Sequence, residues 1–280
     1  MKNLSRRTIT GAFLVIIILG GIWLHPVTYL LIGALLLAVS IHEYYKLVSY
    51  AGIRPQRLAG IIAGITAYTI SVLVSAQVLE SVFYLIIIAE LGLIMIIELY
   101  RKKDRPFDNL AHTVFGVIFI SVPYSLFPFM AFGFSGTDTL LQSGISPFSP
   151  GLILGFLVLS WSFDTGAYLF GSWFGKHKLW KRISPEKSWE GFISGTIITL
   201  IIAWPVSIWI DITGLKSWLI IAMIISITGT LGDMVESMLK RSVGVKDSGS
   251  LLPGHGGMLD RFDSLILSLP FVFIYIILFV

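Results

Sequence analysis

The chain has 280 residues, of which 55% are hydrophobic and 13% are charged, with a formal net charge of +4 and a mean hydropathy of +0.87. This charged fraction is about half that of an ordinary soluble domain, so the polar surface is too small to cover a water-soluble fold. The 13% of aromatic residues exclude a disordered chain. Because the chain has no cysteine, it has no disulfide, and any metal must bind through oxygen or imidazole ligands.

Long apolar runs predict an all-α, polytopic integral membrane protein with about nine transmembrane helices. The first run follows Lys2, Arg6 and Arg7 and lacks a cleavage site with a polar mature start, so it predicts a helix rather than a signal peptide. The sixth run contains Asp164 and several hydroxyl side chains, which indicates a helix facing protein or water. The predicted spans lie near residues 8–24, 27–45, 58–79, 82–100, 113–134, 150–171, 192–212, 217–238 and 263–280.

The basic residues alternate with the predicted spans. Of the 20 Lys and Arg residues, 19 lie before the first span or in the loops after spans 2, 4, 6 and 8, and only Lys216 lies on the other side. Lys and Arg accumulate in cytoplasmic loops, so the pattern predicts a cytoplasmic amino terminus and an external carboxyl terminus. The expected location is the cell (inner, cytoplasmic) membrane, with the active site facing the cytoplasm.

The two late loops on the predicted cytoplasmic side concentrate Gly, His, Lys, Arg and Asp residues. This composition predicts an N-terminal transmembrane scaffold in residues 1–149, with helices 1–5, and a C-terminal catalytic region in residues 150–280, with helices 6–9 and both loops. Within the first of these loops, Ser184 followed by Pro185 is typical of the N-cap and first residue of a helix.

Four polar residues share one face of the eighth predicted helix. Asp233, Glu236, Ser237 and Lys240 follow each other at spacings of three, four and seven residues from the first. Because a carboxylate is costly at membrane depth, this face should look into a polar cavity. An internal ion pair between Glu236 and Lys240 explains Glu236 equally well.

A glycine-rich turn with acidic residues precedes the ninth predicted helix. Three glycines surround His255 within residues 254–257, and such a backbone can bring N–H groups close to an anion. Asp260 and Asp263 could be helix first-turn acids favoured by the helix dipole. Considered with Asp233, they predict an oxygen-ligand site for a divalent metal that holds phosphates.

These residues make the chain resemble the phosphatidate cytidylyltransferases, also called CDP-diacylglycerol synthases. Two further blocks, residues 164–168 and 175–191, also fit the family, whereas residues 1–150 match it only in hydropathy. Glu186 departs from the basic or small residue that is usual there, which weakens the prediction of a uniformly positive phosphate clamp. The family signature is met at Ser237, Lys240, Arg241, Lys246, Asp247, Gly249, Leu252, Pro253, His255, Gly256, Gly257, Asp260, Arg261 and Asp263.

The resemblance implies transfer of the cytidylyl group of CTP to phosphatidate, giving CDP-diacylglycerol and pyrophosphate for phospholipid biosynthesis. It implies Mg²⁺, with more than one divalent or mixed metal ion, at Asp233, Asp260 and Asp263. The expected partners are CTP, phosphatidate and the lipid bilayer, with a homodimer left open and no nucleic acid. The implied catalytic residues are Asp233, Lys240, Arg241, Lys246, Asp247, His255, Asp260, Arg261 and Asp263. The implied substrate-binding residues are Asp164, Lys176, Lys187, Glu190, Ser237, Gly256 and Gly257.

Two alternatives remain at this stage. A CTP-dependent kinase of polyprenols or other lipid alcohols would share the membrane architecture and the nucleotide, but would transfer the γ-phosphate. An ion-coupled transporter is the non-enzyme alternative, with Glu90 and Asp164 as intramembrane carboxylates on the ion path. A hydrogen bond to a neighbouring helix would explain Glu90 equally well.

Overall fold

The computed structural model describes residues 11, 15–132, 148–249 and 256–280, and nearly all of its regular structure is helical. The one described sheet is an antiparallel hairpin of β1 (Lys178–Trp180) and β2 (Ser184–Ser188). A 3₁₀ turn (Ser81–Tyr84) precedes α4, and a π-helical turn (Val117–Ser121) joins α5 to α6. The helices are α1 (Val15–Leu24), α2 (Pro26–Ser49), α3 (Arg57–Ser75), α4 (Leu85–Arg101), α5 (Pro106–Gly116), α6 (Val122–Phe132), α7 (Gly151–Phe174), α8 (Trp189–Trp209), α9 (Gly214–Ser242) and α10 (Leu259–Phe279).

Eight helical segments in the described ranges are long and apolar enough to cross a membrane. The first predicted span corresponds to α1, whose preceding residues lie largely outside the described part of the chain. Large apolar side chains such as Ile88 and Leu99 of α4 are 66% and 77% exposed, which suits contact with lipid rather than water. The prediction of an all-α, polytopic membrane protein is confirmed.

The fifth and ninth predicted spans begin too late in the sequence. The fifth span is continuous from Pro106 to Phe132, through α5, the π-helical turn and α6, whereas the prediction began it at residue 113. The last helix begins at Leu259 rather than at residue 263. Both helices open with polar first turns, containing Asp108 and Asp260 respectively, and a hydropathy window overlooks such turns.

The chain divides into two compact units. Unit 1 contains residues 1–148 and 242–261, and unit 2 contains residues 149–241 and 262–280. The predicted boundary between residues 149 and 150 lies beside the first junction. Residues 242–249 and 256–261, which the prediction assigned to the catalytic region, pack with the N-terminal helices in unit 1.

A buried carboxylate ties together three helices of unit 1. Glu98 of α4 is 5% exposed and accepts hydrogen bonds from Gln56 Nε2 at 2.8 Å and Asn109 Nδ2 at 3.0 Å. Arg101 Nη1 lies 2.6 Å from the same carboxylate. Because Gln56, Asn109 and Arg101 all donate to the charged Glu98 carboxylate, this network stabilises the junction of α4 with α5 and with the residue that precedes α3.

Glu90, the other intramembrane acid of α4, bonds to a helix neighbour. Thr66 Oγ1 of α3 donates to Glu90 Oε1 at 2.9 Å. This contact is the hydrogen bond that the sequence offered as the alternative to an ion path.

In unit 2, small residues allow α7 and α8 to pack closely along their lengths. A Cβ added at Gly195 would lie 3.0 Å from the backbone nitrogen of Ala167 and the backbone oxygen of Phe163. A Cβ at Gly191 would lie 2.7 Å from the backbone oxygen of Ala167. Larger residues on this face of α8 would therefore force the two helices apart.

The interpretation of Ser184 and Pro185 as the start of a helix is wrong. Both residues lie in β2, where Ser184 pairs with Trp180 of β1. The helix begins at Trp189, and its N-cap is Ser188, whose hydroxyl accepts the N–H of Gly191 at 3.2 Å. Strand pairing, which local sequence does not reveal, therefore moves the cap four residues along the chain.

Candidate active site

An ion pair between the hairpin and α9 is central to the polar cluster of unit 2. Lys187 Nζ of β2 lies 2.5 Å from Asp233 Oδ2 of α9, and both side chains are partly exposed. The second oxygen of Asp233 accepts a hydrogen bond from Ser237 Oγ at 3.2 Å, one helical turn along. The sequence predicted all three residues at the site, and the fold brings them together.

Asp263 adds a second carboxylate to this cluster. It interacts electrostatically with Asp233, Glu236 and Asp164, and Lys187 is the opposing positive charge. Ser264 donates its backbone N–H to Asp263 Oδ1 at 2.7 Å, and its hydroxyl donates to Asp164 Oδ2 at 3.3 Å. Asp233 and Asp263 therefore both interact with Lys187, and Ser264 links Asp164 to the same cluster.

The polar face of α9 forms a buried ion pair near the carboxyl end of the helix. Glu236 and Lys240 pair across one turn, and both side chains are buried. This is the internal pair that the sequence allowed as an alternative explanation of Glu236. It places Lys240, which the family resemblance predicts to be catalytic, against a carboxylate of its own helix.

Glu190, a predicted substrate-binding residue, closes the base of the hairpin. Its carboxylate accepts the backbone N–H of His177 at 3.2 Å, and its Oε1 lies 2.6 Å from His177 Nδ1. The backbone N–H of Trp189 donates to the carbonyl of His177 at 2.9 Å. These bonds join the end of α7 to the first turn of α8, and so they fix the position of the hairpin that carries Lys187.

In unit 1, Asp260 organises the signature segment through backbone bonds. Its Oδ2 accepts the N–H of Gly257 at 2.8 Å and the N–H of Ser248 at 3.1 Å. Gly256 has a φ of +84°, a conformation that favours glycine, and a Cβ there would lie 2.7 Å from the Asp260 carboxylate. The signature therefore places glycine where the turn requires it.

The remaining predicted site residues that the structure describes are exposed. His255 lies outside the described residues, as do Leu252 and Pro253 of the signature. Exposure suits side chains that recruit a charged substrate. The exposed predicted residues are Lys176, Arg241, Lys246, Asp247 and Arg261.

The sequence did not lead us to assign three polar residues to the site, although each of them has defined contacts in the structure. Ser264 and His177 belong to contacts that only the fold creates. Glu43 of α2 carried a signal, since a carboxylate inside an apolar helix indicates a polar environment. The sequence reasoning assigned residues 1–149 to the scaffold and so overlooked it.

Comparison with known proteins identifies the family. The model of the cytidylyltransferase family matches residues 5–279. The chain belongs to this family. A phosphatidate cytidylyltransferase of Staphylococcus haemolyticus is 35% identical over 274 residues, which cover 97% of this chain and 98% of that one.

Two relatives with shorter matches have higher identity to this chain over the matched residues. Phosphatidate cytidylyltransferases of Staphylococcus saprophyticus and Staphylococcus aureus strain COL are 52% and 49% identical over 128 residues. Each of these matches covers 45% of this chain and 48% of the relative. The resemblance found in the signature residues is therefore confirmed at the level of the family.

The oxygen donors of this site suit Mg²⁺ better than a softer metal. Within the described ranges, no three His, Asp or Glu side chains are arranged as a ready-made metal cage. Mg²⁺ ordinarily takes one or two protein carboxylates and completes its shell with water and substrate phosphates. Asp233 and Asp263 are such a carboxylate pair, so the residues of unit 2 fit this ion.

Proposed function

We propose that this protein is a Mg²⁺-dependent phosphatidate cytidylyltransferase that makes CDP-diacylglycerol and pyrophosphate from CTP and phosphatidate. The observation that carries the proposal is the pairing of Lys187 with Asp233 beside the second carboxylate of Asp263, in a chain whose family signature is complete. A relative that matches 97% of the chain is named a phosphatidate cytidylyltransferase.

The reaction joins two polyanions, so charge neutralisation is its main requirement. A phosphate oxygen of phosphatidate attacks the α-phosphorus of CTP, a new P–O bond forms, and the bond to the β-phosphate breaks to release pyrophosphate. A phosphate monoester has its second pKa near ~6 and is mostly dianionic at neutral pH. No protein group therefore has to remove a proton from the nucleophile.

Basic side chains supply the counter-charge for this reaction. Lys187 lies beside the carboxylates of unit 2, where it offers a point charge to a phosphate oxygen. Arg241, Lys246 and Arg261 of the signature are exposed, and they suit the triphosphate and the lipid phosphate. Asp233 and Asp263 would hold Mg²⁺, which would supply Lewis-acid stabilisation of the phosphate charge. Asp260 remains a predicted ligand from the signature.

The proposed reaction is tested with purified protein in mixed micelles, Mg²⁺ and CTP labelled at the α- or the γ-phosphate. With phosphatidate as acceptor, we expect the α-label to enter the lipid and pyrophosphate to be released. A polyprenol should accept neither label. Transfer of the γ-label to the polyprenol would instead identify a lipid kinase and overturn the proposal.

We also infer that the amino terminus and the hairpin face the cytoplasm of the cell membrane, from the distribution of basic residues. The cysteine-free chain makes this testable with single substitutions at two exposed positions, Lys181→Cys and Lys216→Cys. A membrane-impermeant thiol reagent on intact cells should label position 216 and not position 181. In permeabilised cells the reagent should label both positions. Labelling of position 181 but not of position 216 on intact cells would show the opposite topology and contradict the inference.

A further inference from the structure

Glu43 of α2 is a buried carboxylate that contacts the signature segment within unit 1. Its side chain is nearly inaccessible, with 5% of the residue exposed. The backbone N–H of Leu259, the first residue of α10, donates to Glu43 Oε2 at 2.8 Å. The hydroxyl of Ser248 donates to the same oxygen at 3.4 Å. Glu43 therefore joins an N-terminal helix to two points in the signature segment that are distant from it in sequence.

The packing around this carboxylate leaves no spare room. A Cβ added at Gly249 would lie 2.6 Å from Glu43 Oε1, and one added at Gly257 would lie 2.5 Å from Glu43 Oε2. Ser248 is 2% exposed and Leu259 is fully buried. Close approach of the backbone to a buried charge is possible here because both neighbours are glycines.

Glu43 and Asp260 bind the same stretch of chain through different groups. Asp260 accepts the backbone N–H groups of Ser248 and Gly257. Glu43 accepts the hydroxyl of Ser248 and the backbone N–H of Leu259. A buried carboxylate is retained only where donors compensate its desolvation. Glu43 also lies beside the backbone N–H of Leu259, the first residue of α10, where a negative charge interacts favourably with the helix dipole.

We infer that Glu43 is a positioning residue for the proposed cytidylyl transfer. It acts through the hydroxyl of Ser248 and the backbone N–H of Leu259, which lie in residues 246–249 and 256–260 on either side of the glycine turn. By fixing Ser248 and Leu259, Glu43 holds the exposed Lys246 and Asp247 and the carboxylate of Asp260 in their working arrangement. The inference rests on the proposed function for its catalytic consequence, but not for the contacts themselves.

The test compares Glu43→Gln and Glu43→Ala with the control Glu90→Gln. Gln retains one acceptor oxygen but loses the charge, and Ala removes both acceptors. Glu90 is a second membrane-embedded acid of unit 1, and it accepts a hydrogen bond from Thr66 of α3. We expect kcat per folded protein to fall at least about tenfold in Glu43→Gln and further in Glu43→Ala, with Glu90→Gln near the wild-type value.

Two readouts separate positioning from general stability. Hydrogen–deuterium exchange should accelerate in peptides that contain Ser248 or Leu259 in both Glu43 variants, and not in Glu90→Gln. The melting temperature of Glu43→Gln should stay close to that of Glu90→Gln. Unchanged kcat per folded protein, or unchanged exchange at Ser248 and Leu259, would overturn the inference. Faster exchange throughout unit 1 would overturn it too, since Glu43 would then be a general stabilising residue.

Failure of the proposed function gives a different pattern. If the wild-type protein does not convert CTP and phosphatidate, the reaction assignment fails. The exchange experiment still decides whether Glu43 orders the signature segment. Local acceleration at Ser248 and Leu259 then supports the positioning contact, and its absence removes it.

Discussion

Replacing Asp233 by Asn is expected to lower cytidylyl transfer at least about a hundredfold, equivalent to about 3 kcal/mol of transition-state stabilisation. Asn keeps the size of the side chain and its hydrogen bond with Ser237, but it removes the negative charge that the proposed Mg²⁺ site needs. The protein should still insert and fold, because the pair with Lys187 is partly exposed and contributes little stability. The measurement is initial rate against Mg²⁺ concentration, which should give a higher half-saturating concentration.

The exposed Asp211 of unit 2 provides the matched control. Asp211→Asn should retain wild-type activity and Mg²⁺ dependence. The Mg²⁺ dependence also tests the simpler role of Asp233 as a partner of Lys187. If that ion pair were its only function, Asp233→Asn would lower the rate at an unchanged half-saturating Mg²⁺ concentration. That result would contradict the assignment of Asp233 to the metal.

Replacing Asp260 by Asn is expected to have a comparably large effect, with at least about a hundredfold loss of activity. The carboxylate accepts two backbone N–H groups through one oxygen, and charge-assisted bonds of this kind are stronger than those of an amide. The signature also predicts Asp260 as a Mg²⁺ ligand. Asp108→Asn, a change to a partly exposed acid in the same unit, should leave activity unaltered.

The dependence on Mg²⁺ separates the two roles of Asp260. Loss of a ligand raises the Mg²⁺ concentration required for half-maximal rate, whereas loss of the backbone bonds alone lowers kcat at unchanged Mg²⁺ dependence. Hydrogen–deuterium exchange at Ser248 and Gly257 reports the backbone bonds directly. Near-complete activity in Asp260→Asn would contradict both roles.

Much of the fold follows from hydropathy alone, because a membrane leaves a chain few choices. Backbone groups in lipid must be satisfied within the chain, and so each long apolar run becomes a helix. The runs that became α2, α7 and α9 were located this way. Helix ends were less predictable. The polar first turns of α5 and α10 belong to the helices but not to the hydrophobic windows.

Pairing between strands was beyond the reach of local sequence. Ser184 and Pro185 have the chemistry of a helix start, yet the pairing of Ser184 with Trp180 places them in a strand and leaves the cap to Ser188. The contact of Glu190 was beyond local sequence for the same reason. Its contact with His177 depends on the hairpin bringing the end of α7 back to the start of α8.

The sequence by itself determined the membrane class, the family signature and the acidic residues of α9 and α10, because these depend on residue type and short spacing. Only the tertiary structure decided which groups meet. It paired Lys187 with Asp233, added Ser264 between Asp164 and Asp263, and joined Glu43 to the hydroxyl of Ser248 and the backbone N–H of Leu259. Such contacts join residues far apart in the chain, and the geometry of packed helices rather than any local preference sets them.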